Sequence, residues 1–194
     1  MSSIAALVLA AGESRRFGGI KLLADIDGQP LLTHSLAVAE AVLPGRVHVV
    51  LGAHREALLP HTGKAHVIDN PHWRQGLSSS IAAGLDAIDD CDHVLLLLAD
   101  QPEVSASALG ALLDRHLTAS PTGITCARYG GLLGIPAAFA RRWFPALRRL
   151  AGDRGARELL RAKDIAVTVV DMPEAARDID RPADLAAHTP TRDF

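Results

Sequence analysis

Short, nearly unbroken apolar runs alternate along the chain with longer stretches in which apolar residues recur at helical spacing. Ile4–Leu9, Val47–Leu51, His66–Ile68, His93–Leu98 and Ala166–Val170 are of strand length and are flanked by Gly, Pro, Asn or Asp. Strands that are apolar on both faces are covered on both faces, which is the condition of a parallel sheet. Between the first two runs, residues 30–42 bring Leu31, Leu32, Leu36, Ala39 and Val42 to one helical face. Pro30 falls in the first turn, where its missing N–H does no harm. Residues 78–88 and 105–117 predict two further helices, the second capped by Ser105. Thr125–Arg128 followed by Tyr129-Gly130-Gly131 predicts a tight turn between two short strands, and there the parallel pattern breaks. The expected fold class is α/β, a three-layer α/β/α sandwich around a mostly parallel mixed sheet, as one domain over residues 1–194. The polar tail after His188 is expected to fray.

Composition narrows the field without changing that picture. The 194 residues show no internal repeat or low-complexity tract, and 20 basic against 22 acidic side chains leave a net charge of −2. No general field for a polyanion results, so nucleic acid is excluded as the default partner. The longest early apolar run is far shorter than the roughly 20 residues a membrane span needs. Met1-Ser2-Ser3 also lacks the basic residues that precede a secretory signal. The expected location is cytoplasmic, with no membrane partner. Cys91 and Cys126, 35 positions apart and without ligand spacing, read as reduced buried thiols.

The densest chemistry lies directly after the first strand. There Leu9, Ala10, Ala11 and Gly12 open a loop that carries Arg16, Gly18, Gly19 and Lys21. Backbone N–H groups of such a loop can approach a phosphate, and Arg16 and Lys21 add positive charge. The spacing is neither that of a Walker A loop nor that of the dinucleotide fingerprint; read alone, it also fits an ordinary charged connection. Asp100 ends the strand 93–98 and is the first candidate for a metal ligand, since Mg²⁺ is held by one or two carboxylates plus substrate phosphates at strand ends. Considered singly, an Asp in an Asp-Gln-Pro turn needs no metal. Asp180, in Asp178-Ile179-Asp180-Arg181-Pro182-Ala183-Asp184, is the candidate second ligand. Acids before a helix are also favoured by its dipole, the simpler reading for Asp184. Ser78 and Ser79 stand at a helix start and could hold phosphate or a base edge, or serve only as caps. The nine histidines show no HxxxH spacing, and no GxSxG nucleophile motif occurs.

In their order, these segments resemble the molybdenum cofactor nucleotidyltransferases, within the wider nucleotide-diphospho-sugar transferase-like group. The resemblance is carried by Leu9-Ala10-Ala11-Gly12 with Ser14, Arg16, Gly18 and Lys21, and by Asp100-Gln101-Pro102. Gln75-Gly76-Leu77-Ser78-Ser79-Ser80, Gly134-Ile135-Pro136, Gly152-Asp153-Arg154-Gly155-Ala156-Arg157 and Asp178–Pro182 support it. It implies that the opening loop binds a nucleoside triphosphate, that Lys21 contacts its phosphates with Arg16 beside it, and that Asp100 and Asp180 hold Mg²⁺. The Ala-Ala-Gly form is similar to the cytidylyltransferase branch, so the implied nucleotide is CTP. The implied reaction transfers CMP to the terminal phosphate of molybdopterin or its molybdenum-loaded form and releases pyrophosphate. A molybdoenzyme or its maturation chaperone is the implied recipient. Ile135 stands where relatives often have His and Arg181 where Thr is common, departures that bear on the second substrate. The alternatives are another nucleotide such as GTP with a sugar phosphate acceptor, a non-catalytic cofactor carrier, or a plain nucleotide-binding module.

Overall fold

The computed structural model of the chain describes residues 3–186 other than 89, 121 and 163. In chain order its strands are β1 (Ile4–Ala10), β2 (Asp25–Ile26), β3 (Gln29–Pro30), β4 (Val47–Leu51), β5 (His66–Asp69), β6 (His93–Leu98), β7 (Ile124–Tyr129), β8 (Leu132–Ala140) and β9 (Thr168–Asp171). The α-helices are α1 (Leu31–Val42), α2 (Arg55–Leu58), α3 (Leu77–Ala87), α4 (Ala106–Ala119), α5 (Phe144–Arg148), α6 (Arg157–Leu160) and α7 (Pro182–Ala186). The tail expected to fray lies outside the described residues.

Seven strands form one sheet in the order β5-β4-β1-β6-β8-β7-β9, and β2 and β3 make a separate hairpin. Within the sheet β8 alone runs against its neighbours; the other pairs are parallel. The architecture is therefore the expected mixed, mostly parallel sheet between helical layers. Residues alternate along β1: Ala6 and Val8 join Leu31, Leu36, Leu109 and Leu112 of α1 and α4 on one face. Leu7 and Leu9 join Ile81, Leu85, Phe144 and Leu147 of α3 and α5 on the other. Every residue of β1 is buried, which is why its sequence is apolar without alternation.

The predicted elements need small revisions. Pro30 belongs to β3, and α1 begins one residue later. The β2–β3 hairpin turns at Asp27-Gly28, with φ of +52° and +85°, a two-residue turn whose Asp-Gly signature is present in the sequence. Ser105 caps α4, its Oγ accepting the Ala108 N–H at 3.2 Å. Gly130 and Gly131 make the expected turn between β7 and β8. The last strand starts at Thr168 rather than Ala166. Pro136 sits inside β8 because the β7–β8 ladder jumps from Cys126–Ala137 to Ala127–Gly134, and a bulge asks no ladder N–H of it.

Both cysteines are free and buried, and burial pushes the Cys126 thiol up to about 11. A buried polar chain crosses the α4 side: His93 Nδ1 lies 2.9 Å from His116 Nε2, and His116 Nδ1 lies 3.2 Å from Thr125 Oγ1. Among the described residues no helix is long and apolar enough to cross a membrane.

Candidate active site

The chain steps outward from β1 to β4 and β5, then returns to the other side of β1 with β6. The carboxyl ends of β1 and β6 are thus a topological switch point, the crevice where open α/β sheets bind ligands. A cavity of about 420 Å³ opens there. Leu9, Ala10, Ala11 and Gly12 line it from β1, Asp100 from β6, and Arg16, Lys21 and Asp180 from the loops around them. A Cβ built on Gly12 would meet no protein atom within 4 Å, so the room at that position belongs to the cavity.

Three side chains from distant parts of the chain converge. Lys21 Nζ donates to Asp100 Oδ2 at 2.6 Å and to Asp180 Oδ1 at 3.3 Å. Arg16 Nη2 lies 2.9 Å from Asp180 Oδ2. Lys21 and Asp100 are mostly buried, with 15% and 19% of their side chains exposed, whereas Arg16 is 68% exposed. Burial disfavours the charged form of Lys21, but Asp100 and then Asp180 outweigh it, so the ammonium holds its proton above the usual lysine range. For Asp100, burial is the largest influence and raises its pKa; Lys21 opposes it, and Asp178 and Asp180 add to it. The second oxygen of Asp100, Oδ1, is buried and has no hydrogen-bond partner.

Each of these groups is fixed through its backbone. The β1 end is tied to β6 by Ala99 N–H donating to Leu9 C=O at 3.3 Å, and Ser35 Oγ of α1 holds Ala99 C=O at 2.8 Å. Ile179 N–H donates to Asp100 C=O at 2.9 Å, which delivers Asp180 to the strand end; Ile179 itself is 3% exposed and anchors the segment. Gln101 Nε2 donates to Ala175 C=O at 2.7 Å and to Ile135 C=O at 3.3 Å. Lys21 begins a short 3₁₀ turn, residues 21–23, pinned by buried Leu22. Asp184 is the helix-start acid expected of it: Oδ2 accepts from the N–H groups of Asp180 and Arg181 at 2.9 and 2.7 Å, and those bonds hold its carboxyl below the usual range.

The serines are arranged differently from the expectation. Ser78 is 2% exposed and does not line the cavity. Ser79 Oγ, also off the cavity wall, accepts from Asn70 Nδ2 at 2.9 Å and lies within 2.8 Å of Gly76 C=O and 3.0 Å of His72 C=O. Of the three serines at the start of α3, Ser80 is the one on the wall. One turn of α3 sets the order, because residues two apart point to different sides of a helix. Trp73, Arg74 and Asp153 also line the cavity, with the Arg74 guanidinium 4.2 Å from the Trp73 ring centre. No motif along the chain points to Trp73 or Arg74; the signal that could find them is an aromatic–basic pair shortly before the glycine that caps α3. Gly76 has φ of +98°, and a Cβ there would stand 2.5 Å from Asp153 Oδ1 and the Gly152 carbonyl carbon. The turn at residues 152–154 therefore presses directly on the start of α3.

Whether the carboxylates suit a metal can be judged from their surroundings. Asp100 and Asp180 already share one cation, the Lys21 ammonium, and the unpartnered Asp100 Oδ1 has capacity for another ligand. Among the described residues no group of three or more His, Cys, Asp or Glu gathers around one point. A divalent ion here would have two protein carboxylates and take its other oxygens from phosphate and water, the usual manner of Mg²⁺.

A switch-point cavity with this loop and these acids, in this sheet order, defines a nucleotidyltransferase of the nucleotide-diphospho-sugar transferase fold. Residues 6–168 match the family model of the MobA-like NTP transferase domain, and the chain belongs to that family. It is 32% identical over 193 residues to the nicotine blue oxidoreductase of Paenarthrobacter nicotinovorans, covering 91% of this chain and 92% of that protein. It is 31% identical over 191 residues to the purine catabolism protein PucB of Bacillus subtilis, covering 90% of each. The crystal structure of Rv0371c from Mycobacterium tuberculosis superposes with a TM-score of 0.83 at 26% identity, covering 96% of this chain and 97% of that one; its complex with manganese gives 0.80 at 25%.

Proposed function

We propose that this nucleotidyltransferase transfers CMP from CTP to the terminal phosphate of molybdopterin or its molybdenum-loaded form, in the cytoplasm and with Mg²⁺. The product passes to a molybdoenzyme or its maturation chaperone. The observation that carries the reading is the cluster in which Lys21 bridges Asp100 and Asp180, opposite the Leu9–Gly12 loop, while Asp100 keeps one buried oxygen free. A binding module would gain nothing from holding two largely enclosed acids beside the phosphates. The choice of CTP rests on Ala11 in the loop, and the acceptor on the family resemblance.

The chemistry needs positioning and charge control more than covalent participation. An oxygen of the acceptor phosphate attacks the α-phosphorus of CTP; one P–O bond forms, the α–β anhydride bond breaks, and pyrophosphate leaves with its electron pair. The attacking oxygen is already anionic, so no general base is required. Asp100 and Asp180 would hold Mg²⁺, which supplies charge neutralisation at the phosphates. The Leu9–Gly12 backbone admits the triphosphate closely, because Gly12 has no side chain to fill the cavity. Arg16 and Lys21 offset the charge that builds on pyrophosphate. For Lys21 to do so it must exchange its carboxylate partners for phosphate oxygens, a short movement at the end of a flexible stem.

The deciding experiment is pyrophosphate release with CTP, GTP, ATP and UTP, each with and without molybdenum-loaded molybdopterin. Release with CTP and acceptor together is expected, and Asp100→Ala should lower turnover at least about 100-fold with an unchanged circular dichroism spectrum. Turnover within threefold of wild type would remove Asp100 from the reaction. NADH is included because one relative carries an oxidoreductase name; its oxidation without pyrophosphate release would overturn the reading. The chain lacks the glycine fingerprint of dinucleotide-binding oxidoreductases.

A further inference from the structure

Nucleotidyl transfer joins two anionic substrates, and Lys21 and Arg16 of the main cavity are the cations that would turn from their carboxylates to the triphosphate. Lys21 and Arg16 are held by Asp100 and Asp180, Arg15 pairs with Glu13 at 2.7 Å, and Arg74 lies over the Trp73 ring. A volume of about 420 Å³ is of the size that one ligand fills. A second cleft, of about 680 Å³, adjoins it and is lined by Asp153, Arg157, Glu158, Arg161 and Ala162. Asp153 belongs to both linings and is their common wall.

Arg157 and Arg161 are one helical turn apart and face the same cleft. Neither makes an ion pair among the described residues, although Glu158 lines the cleft with them. Arg157 is oriented by a neutral contact: Nη2 lies 3.4 Å from Tyr129 Oη, and that hydroxyl donates to Ile135 C=O at 3.0 Å. The same carbonyl accepts from Gln101, the residue after Asp100. The arginine is thus linked through the Tyr129 and Gln101 side chains and the Ile135 carbonyl to the strand end that carries Asp100. Gly76 against the 152–154 turn fixes the other side of this wall to α3.

We propose that this cleft is the acceptor site, with Arg157 and Arg161 as the pair that binds the acceptor's phosphate monoester. Two guanidinium groups suit a dianionic phosphate, which they can grip by paired N–H donors. Asp153 and Glu158 accept hydrogen bonds only, so the rest of the acceptor is a polar body rich in N–H or O–H donors. The shared wall then sets the two substrates side by side, with the phosphate edge toward the α-phosphorus. This inference rests on the nucleotidyl-transfer reading, and the experiment separates the two.

The full chain is saturated with α,β-methylene-CTP and titrated calorimetrically with phenyl phosphate, alongside the nucleotide-free protein. Wild type is expected to bind phenyl phosphate in both forms. Arg157→Met/Arg161→Met should weaken that binding at least tenfold and leave the affinity for the nucleotide analogue within twofold, whereas Arg157→Lys should recover part of the loss. Unchanged phenyl phosphate binding in the double variant overturns the acceptor site. So does an equal loss of nucleotide affinity, which would assign the arginines to the triphosphate, or an absence of phenyl phosphate binding to wild type. If the nucleotide analogue fails to bind wild type, the transfer reading fails, and the phenyl phosphate titration of the nucleotide-free protein still decides whether the cleft binds phosphate.

Discussion

Among the described residues Lys21 is the only cation that touches Asp100, so Lys21→Met leaves that mostly buried carboxylate uncompensated and facing Asp180, which keeps Arg16 as its partner. Removing one partner of a fully buried pair costs about 3–5 kcal/mol. Here the three side chains retain 15–26% exposure, so water screens part of the effect and about 2–3 kcal/mol is expected. For a domain of this length that corresponds to a fall in Tm of roughly 5–10 °C. The assay is thermal unfolding of wild type, Lys21→Met, Asp100→Asn and the double variant in buffer without divalent ions. The double variant should recover most of the loss, because a neutral amide needs no cation. Addition of Mg²⁺ should raise the Tm of Lys21→Met more than that of wild type, since the ammonium no longer competes for the two acids and a ligand that binds only the folded state stabilises it by mass action. An unchanged Tm for Lys21→Met, or an equal loss in the presence of Asp100→Asn, would refute the argument that the lysine compensates the buried acid.

Other consequences can be checked independently. Burial, and then the neighbouring His93, lower the pKa of His116 to about 4, so the fold excludes a proton that the unfolded chain binds below about pH 6.5. The associated stability is complete above that pH and is lost as pH falls toward 4, in total about 3 kcal/mol; urea unfolding at pH 7.5 and 4.5 should display the decline, and His116→Gln should flatten it. Gly76→Ala forces a side chain into the left-handed region and against the 152–154 turn, with an expected cost of at least about 1–3 kcal/mol in urea unfolding. Trp73→Ala should weaken binding of the proposed nucleotide several-fold by calorimetry, because Trp73 forms part of the cavity wall, and should lower Tm as well, because the ring also packs on the core beside α3.

Much of the sheet could be read in advance because its central strands are covered on both faces. β1 and β6 announce themselves as continuous apolar runs, and α1 and α4 as helices with a buried stripe. Elements of four or five residues, such as α2, α5 and α6, contain too few turns for any periodicity to register. A short strand after the Gly130-Gly131 turn is expected, but the full run of β8 to Ala140 is obscured by Gly134 and Pro136 until the bulge at Cys126 and Ala127 accounts for them. Within the candidate site, Lys21, Asp100 and Asp180 could be named because short polar motifs follow strands or precede a helix. That Asp100 and Asp180 meet is implied by a shared metal ion, but the Lys21 bridge between them is not legible, since it depends on a hydrogen bond from Ile179 to the β6 end that leaves no trace in local sequence. The face of α3 that meets the cavity was likewise invisible, and Ser80 rather than its two predecessors proved to be on the wall.

The bond between Lys21 and Asp180 joins positions 159 residues apart. During synthesis, every strand of the sheet has left the ribosome before the segment carrying Asp180 emerges. A nascent chain can therefore pair those strands before Asp180 is there to meet the Lys21 ammonium. On the proposed reading, cleavage just upstream of Asp178 would separate one acid of the cluster, together with its Ile179 anchor, from the sheet that carries the other.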